Sequence, residues 1–231
     1  MHSKAKEGEG GSNRRDDWGF RFHHVLHNAA QEVVYDRLCN HVVRGAMEGT
    51  NGTIMAYGQT GAGKTFTMIG DTNSYRNRGV SPRTLAHVFQ EVGARPETAF
   101  DISVSYMEIY NERIFDLLRD GSKRAPTGGG RGAEEPEYTV VDDPEKGTMV
   151  RGLTMHPLTS EEEALDALFQ GELNRTTAEH LLNKSSNRSH CIFTIHISQR
   201  SRLGTAEHVR DDAILSLVCL LIQWYESMSW N

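Results

Sequence analysis

The feature that most constrains this chain is a glycine-rich segment, Gly58 to Thr65, which reads Gly-Gln-Thr-Gly-Ala-Gly-Lys-Thr. It fits the pattern Gly, four residues, Gly, Lys and Ser/Thr, in which glycines let backbone N–H groups close around a phosphate. A short apolar run, Thr53 to Tyr57, precedes it, and no helix breaker follows before Gly70. The order is therefore strand, loop and helix start, which predicts a site for ATP or GTP.

We expect every residue of this segment to contribute to phosphate binding: Gly58, Gln59, Thr60, Gly61, Ala62, Gly63, Lys64 and Thr65. The Lys64 ammonium is expected to reach the β- and γ-phosphates, and the Thr65 hydroxyl to hold Mg²⁺. The alternative is a glycine-rich loop that matches the pattern by chance. The apolar strand directly before the loop favours the phosphate site.

Composition limits the class of protein. With 231 residues, of which 37% are hydrophobic, the chain forms one large domain or at most two small ones. The net charge of −6 argues against general binding to nucleic acid. The cysteines, at positions 39, 191 and 219, match no metal-ligand spacing, so we expect free thiols, no zinc and no disulfide. The longest apolar run, Ala213 to Ile222, is too short to cross a bilayer, so a soluble cytosolic protein is expected.

The first half of the chain shows helical periodicity on both sides of the phosphate loop. Trp18 to Phe22 is interpreted as a short strand. A helix is predicted from Asn28, as N-cap with Gln31 three residues on, to Gly49, with these residues facing the core: Val34, Leu38 and Val42. Ser81-Pro82 predicts the start of another helix, which ends at Gly93 and buries Leu85, Val88, Phe89 and Val92.

The second half adds alternating strands. Apolar residues alternate with polar ones from Phe100 to Tyr106 and from Cys191 to Ile197. Residues 138–141 and 148–150 are predicted to pair as short strands, and Ser160 with Glu163 predicts a capping box at the start of a helix. Because strands and helices interleave, the pattern indicates an α/β layered fold.

Two segments are expected to lie outside the packed core. Residues 1–17 lack apolar side chains and predict a disordered leader. Residues 121–137, rich in glycine and charge, predict a flexible inserted loop and not a domain boundary.

Three motifs in order carry a resemblance to a known family. Tyr57 to Thr65, followed by Thr67-Met68 and Gly70, resembles the phosphate loop of the kinesin motor domain. Glu108 to Leu118 is similar to the central segment of that family. Asn183 to His190, Asn-Lys-Ser-Ser-Asn-Arg-Ser-His, is similar to its first switch. Within kinesins, the segments Arg78 to Leu118 and Cys191 to Ile195 are most similar to the ciliary kinesin-nine subfamily.

This resemblance implies a P-loop NTPase fold, with a central mixed sheet flanked by helices on both faces. It implies a partial motor domain over residues 18–210 and a divergent tail over 211–231. It also implies ATP and Mg²⁺ as cofactors and microtubules (tubulin) as partner, without nucleic acid or membrane. The expected location is the cytoplasm and cytoskeleton, including the cilium or flagellum.

The resemblance also assigns roles in the first switch. Ser186 and Ser189 are expected near the metal and the γ-phosphate, with Ser186 joining Thr65 as a metal ligand. Arg188 is expected to close over the site. Together with Lys64, these residues form the expected catalytic set, which fits phosphoryl transfer because that reaction needs positioning and charge compensation.

Several positions depart from the family pattern. Asn187 stands where the first switch has a second serine. Aligning residues 214–218 with the strand before the second switch, Asp-x-x-Gly with a later Glu, puts Cys219, Ile222 and Trp224 at its chemical positions. The N-terminal adenine-binding strand, the main microtubule-binding helices and the neck linker have no counterpart here, so a motor core cut at both ends is expected.

Three hypotheses therefore stay open. The first is a kinesin-type ATPase whose complete form moves along or grips microtubules. The second is a non-catalytic nucleotide-binding or partner-binding fragment that has lost hydrolysis. The third, an unrelated phosphate-loop enzyme, does not account for residues 183–190.

Overall fold

The computed structural model describes residues 19–119, 138–144, 147–181, 189–202 and 215–223, and for 176–181 and 215–223 only the backbone. The predicted leader (1–17) and inserted loop (121–137) lie outside the described residues. The same is true of Trp18, Ser186, Asn187, Arg188 and Trp224.

The described chain contains both helices and strands. The helices are α1 (Gln31–Leu38), α2 (Asn40–Met47), α3 (Lys64–Met68), α4 (Val80–Ala94) and α5 (Glu161–Leu181), with a 3₁₀ turn at Tyr75–Asn77. The strands are β1 (Gly52–Gly58), β2 (Thr98–Tyr110), β3 (Arg113–Asp116), β4 (Thr139–Asp143), β5 (Gly147–Arg151), β6 (His156–Leu158), β7 (Ser189–Ser201) and β8 (Leu215–Gln223). Among the described helices, none combines the length and apolar character needed to cross a membrane.

One mixed sheet forms the centre of the fold. Its strands run in the order β1-β8-β7-β2-β3, and β6 pairs with β2. β1 and β8 are parallel, whereas the other pairs are antiparallel. β4 and β5 form a separate hairpin, as predicted for residues 138–141 and 148–150. The predicted α/β class is therefore confirmed.

The buried side chains lie on one face of this sheet. Ile102, Val104 and Tyr106 on β2 face the same side as Phe193 and Ile195 on β7, and all are buried, as the alternation predicts. The core there packs against α5, which contributes Ala164 and Leu168. On the opposite face of β1, Met55 and Tyr57 are 55% and 62% exposed.

The predicted helix before the phosphate loop differs in two ways from the structure. It is divided at Cys39 into α1 and α2, and α1 begins at Gln31 after Ala30, so Asn28, with a φ of 49°, is not its cap. Of the residues predicted to face the core, Val34 and Val42 are partly buried and pack against it, whereas Leu38 is 41% exposed. The buried apolar residues of this segment are Tyr35, Cys39, Val43, Ala46 and Met47. Two neighbouring stripes share the spacing of four, and periodicity alone does not choose between them.

Two smaller predictions were also wrong. Residues 19–22 form no strand, and Phe20 and Phe22 are 75% and 71% exposed. Ser81 is the second residue of α4 and not its cap, which is Gly79. By contrast, the capping role of Ser160 is confirmed, because the Glu163 N–H donates to Ser160 Oγ at 3.2 Å. The other half of the predicted capping box differs, because the Glu163 carboxylate accepts from the Thr159 N–H and hydroxyl.

Candidate functional site

The phosphate-loop segment joins the end of β1 to the start of α3. Gly61 and Gly63 have φ values of 80° and 83°, a left-handed conformation that costs other residues free energy. A Cβ atom placed on either glycine would meet no heavy atom within 4 Å. The backbone of this loop therefore borders open space, as a cradle for an anion requires.

Lys64 is the buried member of the loop. Its side chain is 9% exposed, and its ammonium donates to the Gln59 carbonyl at 2.7 Å. The Ala62 N–H donates to the same carbonyl at 3.2 Å, which closes the loop into a turn. Because an ammonium has three N–H donors, this geometry places a cation with further donor capacity at the loop. These residues fit a polyphosphate.

Helix α3 is short, so contacts from elsewhere must hold it in place. Gln31, 7% exposed, donates from Nε2 to the Phe66 carbonyl at 2.5 Å. The sequence had suggested a capping role for Gln31, and the structure shows a tertiary one. This bond ties α1 to the helix that carries Lys64 and Thr65.

A close backbone crossing fixes the other end of α3. The Gly79 N–H donates to the Ile69 carbonyl at 2.8 Å. A Cβ on Gly79 would lie 2.6 Å from the Met68 carbonyl carbon, and one on Gly70 would lie 2.3 Å from the Asn77 carbonyl oxygen. Only glycine fits such spacing, so this crossing rigidly connects the loop helix to α4.

The predicted metal ligands are only partly described. Thr65 is exposed and is the second residue of α3, directly after Lys64. Ser186 lies outside the described residues. Within the described ranges, no group of three or more His, Cys, Asp or Glu residues could hold a metal ion.

The sheet brings the start of β7 to the edge where the phosphate loop begins. Gly58 is opposite Gln223, and Ser189 is opposite Tyr110. Since Cys191 is opposite Leu221, continuing the antiparallel register puts Ser189 level with Gln223. Ser189 and Gly58 are therefore in one row, two strand spacings or roughly 10 Å apart.

Ser189 contacts the interior through its side chain. Its hydroxyl donates to Glu108 Oε1 at 2.5 Å, and the two residues are 7% and 0% exposed. The catalytic role of Ser189 stays a prediction, as do those of Ser186 and Arg188. Sequence reasoning missed Glu108, because a single Glu in an alternating strand carries no signal of its partner.

β8 extends through the positions aligned with the second switch. Cys219 is opposite Ile54 and Ile222 is opposite Tyr57, both in regular parallel pairing with β1. Strand backbone therefore continues where the family pattern expects Asp-x-x-Gly.

Comparison with known proteins decides the family. The family model of the kinesin motor domain matches residues 1–221. The chain belongs to the kinesin motor domain family. It is 47% identical over 196 residues to Kinesin-like protein KIF9 of Homo sapiens, covering 85% of this chain and 24% of the relative. It is 46% identical over 210 residues to Kinesin-like protein KLP1 of Chlamydomonas reinhardtii, covering 91% and 25%.

These matches confirm the predicted kinesin resemblance and the P-loop NTPase fold. The chain spans about a quarter of the length of these kinesin relatives. The family match also includes residues 211–221, the first part of the predicted tail. Kinesin motor domains bind nucleotide, which agrees with the geometry at Gly58 to Thr65.

Proposed function

We propose that this chain binds Mg-ATP at its phosphate loop and that the complete protein is a kinesin-type ATPase that moves along microtubules. One observation carries the proposal. The loop between β1 and α3 combines left-handed glycines, open space on their Cα side and the nearly buried ammonium of Lys64. Family membership then favours ATP and a motor over other phosphate-loop chemistry.

Each part of the loop has a separate task in this proposal. Backbone N–H groups from Gly58 to Gly63 bind phosphate oxygens, and Lys64 neutralises the charge of the β- and γ-phosphates. The Thr65 hydroxyl holds Mg²⁺, with Ser186 as a second ligand. The metal, when bound, compensates negative charge during phosphoryl transfer.

The first switch supplies the remaining groups in this proposal. Ser186 and Ser189 act near the γ-phosphate, and Arg188 closes over it. Ser189 begins β7 in the same row as Gly58, which supports its placement close to the phosphates. Phosphoryl transfer gains most from positioned charges and hydrogen-bond donors, which these side chains offer.

Microtubules are the partner we propose for the complete protein. Resemblance to the kinesin-nine subfamily extends the proposal to a cytoplasmic, cytoskeletal location that includes the cilium or flagellum. The net charge of −6 is consistent with a partner other than nucleic acid.

A second candidate is a nucleotide-binding module without hydrolysis. The uninterrupted pairing of β8 with β1 up to Gln223 favours it, because strand replaces the second-switch loop. In this case Lys64-dependent binding would remain while turnover would be absent.

Nucleotide binding by the full 231-residue chain tests the proposal. Lys64→Ala is expected to weaken Mg-ATP about 100-fold, since it removes charge-assisted hydrogen bonds to phosphate. The matched control Arg37→Ala removes the same charge from an exposed site on α1 and should bind normally. Equal binding by wild type and Lys64→Ala would refute the site.

Turnover separates the two candidates. ATP hydrolysis that rises with added microtubules and depends on Lys64 would establish the motor function. Lys64-dependent binding without hydrolysis would favour the non-catalytic module.

A further inference from the structure

A buried polar cluster lies between α5 and the strands β2 and β7. It consists of Tyr106, Glu108, Glu172, Arg175, Ser189 and Cys191, and apart from the glutamate on α5 each is at most 9% exposed. The strand members share the sheet face that α5 covers, because Glu108 is opposite Cys191 and Tyr106 is opposite Phe193. Buried polar groups lose their hydrogen bonds to water, so they need hydrogen-bond partners within the protein.

The strand side of the cluster centres on Glu108. This carboxylate is fully buried and accepts the Ser189 hydroxyl at 2.5 Å, while the Cys191 thiol lies 3.9 Å from that hydroxyl. This hydrogen bond joins the first residue of β7 to β2 on the face that α5 covers.

The helix side of the cluster fixes α5 against β2. The Tyr106 hydroxyl donates to Glu172 Oε1, and Glu172 Oε2 accepts from Arg175 at 2.8 Å. Gly171 lets the helix approach so closely that a Cβ there would lie 2.3 Å from Tyr106 Cδ1. Hydrogen bonds and close packing thus give α5 a single position on the sheet.

The two sides meet around Cys191. Burial raises the pKa of its thiol, Arg175 opposes that change, and Glu108 and Glu172 add to it. The pKa of the thiol therefore depends on side chains from both α5 and β2. Polar and charged side chains of α5 and β2 thus lie together beside the start of β7, at the end of the sheet where the phosphate loop begins.

We propose that Glu108 is a positioning residue of the nucleotide site. Through its hydrogen bond, Glu108 holds Ser189 level with Gly58, at the end of the sheet where the phosphate loop begins. This inference rests on the proposed function and assigns a role to a fully buried residue near the end of β2. Glu108 acts through Ser189, the last serine of the predicted first switch. Its loss should therefore weaken binding of the triphosphate more than that of the diphosphate.

The test measures Mg-ATP-analogue and Mg-ADP affinities of the full chain, with urea unfolding in parallel. Glu108→Ala removes the acceptor and is expected to weaken the ATP analogue about tenfold, with a smaller change for ADP. Glu108→Gln keeps the shape and an acceptor oxygen, so partial rescue is expected. If Glu108→Ala does not fold, the nucleotide affinities of Glu108→Gln test the proposal in its place.

Val104→Ala is the matched control. Val104 is fully buried on the same face of β2 and is opposite Ile195, six positions along β7 from Ser189, so its truncation lowers stability through lost packing. Its affinities should equal those of wild type. Hydrogen exchange of the Ser189 amide, measured without nucleotide, should accelerate in Glu108→Ala and stay slow in Val104→Ala.

The possible results separate this inference from the function on which it rests. Unchanged affinities in Glu108→Ala, or an equal loss in Val104→Ala, would overturn the positioning role while Lys64-dependent binding stands. Absence of Lys64-dependent binding in wild type would overturn the proposed function and this inference together. If the nucleotide affinities do not change, faster hydrogen exchange at Ser189 in Glu108→Ala would not by itself support the positioning role.

Discussion

The phosphate loop and the buried polar cluster adjoin the same edge of the sheet but are built in opposite ways. The loop uses consecutive residues, backbone groups and exposed glycines. The cluster uses side chains from α5, β2 and β7, and its Glu108–Ser189 bond spans 81 positions. The loop can therefore change locally without loss of the fold, whereas the cluster depends on the whole sheet and on α5.

The largest expected effect concerns the packing of the cluster. Gly171→Ala should lower the free energy of unfolding by about 2 to 3 kcal/mol, because a Cβ would overlap the Tyr106 ring. That ring cannot easily move, since it packs edge-on against Phe193 with centroids 5.2 Å apart. Urea unfolding of the full chain measures the change.

The control for this substitution is Gly93→Ala in α4. Gly93 is exposed in a helix and a Cβ there meets no atom within 4 Å, so alanine should stabilise by up to about 1 kcal/mol. Equal effects at the two glycines would show that α5 does not lie against Tyr106.

Tyr106→Phe should have the next largest effect. Removing its hydroxyl leaves the Glu172 carboxylate without this donor, which costs about 1 to 2 kcal/mol. Burial, followed by the Glu172 charge, raises the pKa of Tyr106 well above its ordinary value, so the hydroxyl stays a donor in mildly alkaline solution. Thermal unfolding gives the difference.

Tyr75→Phe is the matched control, because Tyr75 is 76% exposed and stacks on Arg78 through its ring. Its stability should change by less than about 0.5 kcal/mol. A loss as large as that of Tyr106→Phe would contradict the buried hydrogen bond.

The same contrast explains what could be predicted from the sequence. The phosphate loop and the alternation in β2 and β7 were readable because the deciding residues are neighbours in the chain. The bond between Glu108 and Ser189 and the contact of Gln31 with Phe66 were not, since each joins residues that only the fold brings together. The core-facing side of α1 and α2 was predicted only in part for the same reason. Packing in the fold buries Tyr35, Cys39 and Val43 more deeply than the predicted Val34 and Val42.

A smaller effect is expected in the loop itself. Gly61 has a φ of 80° with open space around it, so Gly61→Ala adds backbone strain of about 1 kcal/mol and no clash. Because the loop backbone shifts to relieve this strain, its N–H groups lose their alignment, and Mg-ATP affinity should fall about fivefold. Calorimetric titration and thermal unfolding together measure both quantities.

Gly147→Ala provides the same strain at a distance. Gly147 has a φ of 73° as the first residue of β5, and a Cβ there also meets nothing within 4 Å. Stability should fall as in Gly61→Ala, and nucleotide affinity should not change. A parallel loss of affinity in both variants would mean that the effect is global and that the loop has no special geometry.

The smallest effect is expected at the start of α5, where a local bond holds an exposed carboxylate. The Thr159 N–H and then the Thr159 hydroxyl lower the pKa of Glu163 below its ordinary value of about 4.5. A lowered pKa in the folded state means that this contribution is present above pH 4.5 and is lost as the pH falls through the folded-state pKa.

Glu163→Gln should therefore lower Tm slightly at neutral pH, by less than Gly61→Ala, and the difference should shrink in acid. Glu162→Gln removes the same charge from the same helical turn, where the helix dipole favours both carboxylates equally. The excess loss in Glu163→Gln isolates the bonds to Thr159. If the two variants have equal Tm values at every pH, the charge alone stabilises this end of α5, and the cap has no measurable role.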